Sequence, residues 1–60
     1  MKTLKLNNKV FRITEVLGTF IVDKYEEYIT EDKQTAKGYV YKFQTDKENE
    51  LIEILEFLSK

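Results

Sequence analysis

The side chains able to do chemistry in this chain are carboxylates, amines and phenols. Glu26 and Glu27 are adjacent, and Glu53 and Glu56 stand one helical turn apart. Paired carboxylates carry out general acid–base hydrolysis when a cleft raises the pKa of one of them. Sixty residues leave little room for such a cleft, so both pairs read as solvated charge. The chain has no Cys and no His. That removes the thiol nucleophile, the disulfide, the commonest metal ligand and the base that titrates near neutrality. Gly18 and Gly38 are isolated, so no glycine-rich phosphate loop is formed, and no Asp/Asn-rich calcium loop is present. The residue types point away from an enzyme, and no cofactor or metal is expected.

Two clusters point to binding instead. Tyr39, Tyr41 and Phe43 alternate beside Lys37 and Lys42, a pattern that could stack nucleobases on a strand. All three aromatics fall on one face of a regular strand, however, and a core needs such a face, so core is the favoured reading. Net charge is −1, with nine Lys and a single Arg, and no basic footprint dominates. Nucleic acid is the less favoured partner. The second cluster is Tyr25, Glu26, Glu27 and Tyr28, inside the most acidic stretch of the chain. Tyrosine beside carboxylate suits a protein interface, because the ring buries area and keeps a polar tip.

Charge is blocked along the sequence. Residues 1–22 carry +3, residues 23–32 carry −4, residues 33–47 carry +3 and residues 48–60 carry −3. Such blocks either pair across the surface, contributing little, or complement a partner and fix its orientation.

The elements that position these groups follow from periodicity. Lys2–Leu6 alternates as a short strand, Asn7-Asn8 is a turn signal, and Lys9–Val16 alternates again. Thr19–Thr30 is ambiguous. Its β-branched and aromatic content favours a bulged or bent strand, while Ile21, Tyr25, Tyr28 and Ile29 also fit helical spacing. Glu31–Gly38 reads as a polar loop and Tyr39–Thr45 as a strand. Thr45 and Glu48 have capping-box spacing ahead of a helix over residues 48–58. The expected fold is α+β: one domain, residues 1–60, with a small antiparallel sheet of three to four strands in β-β-β-β-α order. The C-terminal helix packs on one face.

That helix is broadly apolar. At roughly 100° per residue, Leu51, Ile52, Ile54, Leu55, Phe57 and Leu58 span about 220° of its circumference. A helix lying on one sheet needs an apolar stripe of only about 100° or somewhat more. The surplus implies strands curling around the helix, a homodimer, or docking of another protein. A disulfide-free chain of this size gains most from oligomerisation, so Leu51, Ile54, Phe57 and Leu58 are the candidate self-association residues. Tyr25, Glu26, Glu27 and Tyr28 are the candidate partner site. No apolar run is long enough to span a membrane, and the N-terminal residues do not form a signal peptide, so a cytoplasmic location is expected.

The β-β-β-β-α order resembles chromo-like and small SH3-like proteins, and also phage integrase arm-binding domains. The Trp of an aromatic cage and the basic character of an arm-binder are both missing. In size, lysine-rich composition and absence of catalytic groups, the chain resembles the small early proteins of Gram-positive phages. That resemblance implies a stoichiometric inhibitor of a larger host protein or of an anti-phage defence system. A nucleic-acid-binding regulator and a subunit of a larger complex are the alternatives.

Overall fold

The computed structural model describes residues 1–60. Four strands, β1 (Lys2–Leu6), β2 (Lys9–Val16), β3 (Thr19–Ile29) and β4 (Thr35–Thr45), are followed by helix α1 (Glu48–Leu58). The strands form one open antiparallel meander in the order β1-β2-β3-β4. This is the α+β arrangement expected from the sequence, and the ambiguous segment is a strand over Thr19–Ile29.

Local chemistry sets the turns. Asn7 and Asn8 both take positive φ, 49° and 66°, which is the two-residue hairpin geometry matched to strand twist. Leu17 and Gly18 repeat it at φ 50° and 82°. Gly18 is suited to this conformation, whereas Leu17 pays roughly 1 kcal/mol or more for it. The third connection is shorter than the polar loop expected over residues 31–38. Thr30 accepts from the Lys33 amide at 2.9 Å and donates its own amide to Gln34 at 2.8 Å, with Lys33 at φ 65°. This is a tight turn closed by a left-handed residue, so β4 begins at Thr35 rather than Tyr39. Gly38 lies inside the strand beside the Tyr28 ring; a Cβ there would sit 3.6 Å from that ring, an ordinary van der Waals contact.

The helix lies on one face of the sheet. Phe11 and Val22 are fully buried beneath it, together with Leu51 and Leu55. Leu4, Leu6, Ile13, Phe20, Phe43 and Leu58 pack around them. The helix leaves β4 at the end of the sheet that holds Leu17. It finishes at the opposite end, where Asn7 Nδ2 donates to the Ser59 carbonyl at 2.7 Å and the Lys9 ammonium reaches the Lys60 carbonyl. The lysine charge suits the negative end of the helix dipole.

The expected capping box does not form. Thr45 is still paired in the sheet, opposite Phe20, and is buried there. Its hydroxyl accepts from the Lys47 amide at 3.1 Å and donates to Glu50 Oε2 at 2.7 Å. The helix therefore starts after an extended Lys47, with no side-chain cap, and Glu50 takes the place expected of Glu48.

Nor do the strands curl around the helix. The covered stripe is Ile54, Leu58, Leu51 and Leu55, whereas Ile52 is 52% exposed and Phe57 68% exposed on its two flanks.

Candidate functional site

The face of the sheet opposite the helix is uncovered, and its composition depends on one irregularity. Val22 pairs with Phe43, but the next residue, Asp23, pairs with Tyr41, so Lys42 is an extra residue in β4. A bulge of this kind resets the alternation. Phe43 points under the helix, while Tyr41 and Tyr39 point to the open face. The expectation that all three aromatics share the core face is thereby corrected. A single inserted residue in an otherwise regular Tyr-Val-Tyr-Lys-Phe run leaves no mark on the sequence pattern.

Register gathers residues from three strands on this face. Arg12 stands opposite Asp23, which stands opposite Tyr41; Thr14 stands opposite Ile21; Tyr25 stands opposite Tyr39. Arg12 donates from Nε and Nη2 to Asp23 Oδ2, at 3.1 and 3.0 Å. Its guanidinium carbon lies 4.2 Å from the centre of the Tyr39 ring, a cation–π contact. Tyr39 meets Tyr25 edge to face, 5.3 Å between centroids at 74°. Tyr25, Tyr39 and Tyr41 remain 45%, 37% and 56% exposed. None of their hydroxyls bonds within the chain. Lys5 flanks one side of this face, and Lys37 and Glu27 stand opposite each other on the other.

Strand alternation divides the candidate partner site chosen from sequence. Tyr25 and Glu27 lie on the open face, and Glu26 and Tyr28 lie on the helix side, beyond the end of the helix. Glu26 bridges two amines there, Lys42 Nζ at 2.6 Å and Lys24 Nζ at 3.5 Å. The Lys42 hydrogen bond holds its carboxyl below the usual range; partial burial opposes this, and the charges of Lys42 and Lys24 assist. Its charge is thus neutralised locally. Arg12, Asp23, Tyr39 and Tyr41 were missed as a set, because only the bulge brings them together.

Of the candidate self-association residues, Leu51 belongs to the core, Ile54 and Leu58 are half-buried, and Phe57 is free. Lys60 Nζ lies 5.9 Å from the Phe57 ring centre.

No three His, Cys, Asp or Glu side chains are grouped to hold a metal ion. No helix is long and apolar enough to cross a membrane. Comparisons with protein-family models, curated proteins and solved structures give no match to this chain.

Proposed function

We propose that this chain is a small non-catalytic protein-binding module that acts stoichiometrically, laying the open face of its sheet on a larger protein. The observation that carries this reading is the row of Tyr25, Tyr39 and Tyr41. The three rings are partly exposed on a pre-formed sheet, and their hydroxyls are unbonded within the chain. Tyrosine is enriched at binding hot spots, and rings already ordered by a sheet lose little entropy on docking. The fitting partner is a flat, largely apolar protein surface that offers hydrogen-bonding groups to the phenols. Size and composition suit a phage-encoded inhibitor of a host protein or of an anti-phage defence system, which would work by occupying such a surface in the cytoplasm.

Nucleic-acid binding is the second reading, favoured by the exposure of Tyr39 and Tyr41 near Lys37. Against it, Arg12 is already engaged by Asp23, and Glu27 adds a second acid to the same face. A salt titration separates the two. Contact through phosphates weakens log-linearly and steeply with salt. Docking through tyrosine rings is expected to change little between moderate and high salt. Tight single-strand binding at low salt that collapses on salt addition would favour the nucleic-acid reading.

A further inference from the structure

The sheet is an open meander, so β1 and β4 each leave one edge unpaired. β1 offers five residues there and β4 eleven. The turn before β4 fixes which of its backbone groups face outward. The Thr30 amide donates to the Gln34 carbonyl, one step ahead of the Ile29–Thr35 pair. Antiparallel pairs alternate from there between hydrogen-bonded and non-hydrogen-bonded. Ala36, Gly38 and Val40 therefore turn their backbone groups to β3, and Thr35, Lys37, Tyr39 and Tyr41 turn theirs to the free edge. The bulge at Lys42 ends this regular stretch. From Thr35 to Tyr41 no proline interrupts the outward row of donors and acceptors.

An extended backbone is the structure that matches such a row, and charge selects its composition. Residues 33–47 carry +3, with no acid from Lys33 to Thr45. Lys42 is held by Glu26, but Lys33, Lys37 and Lys47 make no ion pair, and Lys37 makes none even with Glu27 opposite it. A second copy is the wrong occupant. Its β4 edge carries the same lysines and its β1 edge carries Lys2 and Lys5, so pairing two copies would set positive beside positive. We propose that the free edge of β4, from Thr35 to Tyr41, takes up an acidic extended segment of a partner protein as an added strand. The ladder holds the segment, and acids on the Lys37 side of it give the selection. This contact goes beyond docking through the open face and does not rest on it, because the ladder needs the backbone of β4 and not its tyrosine rings.

The test follows amide NMR shifts and hydrogen exchange of the full chain during titration with a capped peptide of about eight residues that alternates Val with Glu, and with its counterpart that alternates Val with Lys. The Glu peptide should shift the amides of Thr35, Lys37, Tyr39 and Tyr41 and slow their exchange, and the Lys peptide should do neither. Lys37→Glu should reverse this preference. Lys37→Pro should bind neither peptide and keep the fold, because the N–H it removes faces outward. Tyr39→Thr combined with Tyr41→Thr should still gain protection at the edge with the Glu peptide, so a failure of the open-face reading leaves this one standing. A β4 edge that the Glu peptide does not move, that both peptides move equally, or that is bypassed in favour of β1 would overturn the proposal. So would shifts of the same amides with chain concentration in the absence of peptide, since a second copy would then be the occupant.

Discussion

Arg12 donates twice to one oxygen of Asp23 while its guanidinium lies over the Tyr39 ring, so a single side chain ties β2 to β3 and to β4. The Asp23 side chain is only 14% exposed, so its removal from water is offset mainly by Arg12. Arg12→Ala is therefore expected to lower stability by about 1–2 kcal/mol, read from urea denaturation. Arg12→Lys should recover part of the ion pair and lose the planar stack. Glu26 gives a pH signature of the other sheet face. Its carboxyl is held below the usual range in the folded chain, so its contribution is present at neutral pH and is lost as pH falls through that depressed value. Glu26→Gln should accordingly reduce the fall in urea midpoint between neutrality and about pH 3. A variant that acidifies with the same loss as the wild type would mean that Lys42 does not stabilise the charged form.

At the scale of elements, the hairpins and the helix are legible in the sequence, and the bulge is not. Asn7-Asn8 marks its turn because asparagine tolerates positive φ, and the alternation of Lys9–Val16 survives because β2 has a buried face. Alternation looked broken in Thr19–Ile29 because the helix covers only the first part of β3. Past Val22, Asp23 is held by Arg12, and Lys24 and Glu26 pair with each other beyond the end of the helix. The strand is regular, but its hydrophobic pattern is not. The bulge depends on pairing between β3 and β4, which no run within β4 reports. The helix starts at Glu48 as expected, but its capping box fails for a similar reason: Thr45 is held by the sheet before it can cap. Two substitutions follow from these elements. Lys33→Gly relieves a left-handed lysine and should raise stability by about 0.5–1 kcal/mol in urea denaturation. Leu55→Ala opens the core and should cost about 2–4 kcal/mol, whereas Ile52→Ala, on an exposed flank, should stay within about 0.5 kcal/mol.

Across the whole molecule, charge is arranged by strand position. Edge strands β1 and β4 carry lysines and no acid, while the acids lie in the interior strands, in the β3–β4 turn, at Asp46 ahead of the helix and on the helix itself. Lysines on unpaired edges discourage edge-to-edge association. On the proposed reading the open face is the broad contact surface, and the bulge supplies two of its three tyrosines. Of the partner-site residues chosen from sequence, Tyr25 and Glu27 lie on that face beside Tyr39 and Tyr41, whereas Glu26 and Tyr28 lie on the other.

The most direct test compares captures from nuclease-treated lysate by the tagged wild type, by Tyr39→Thr combined with Tyr41→Thr, and by Phe57→Ser. Threonine keeps the strand while removing the rings. The wild type and Phe57→Ser should retain the same protein in stoichiometric amount through a high-salt wash, and the double tyrosine variant, folded by circular dichroism, should lose it. Equal retention by the tyrosine variant, or loss confined to Phe57→Ser, would contradict docking through the open face.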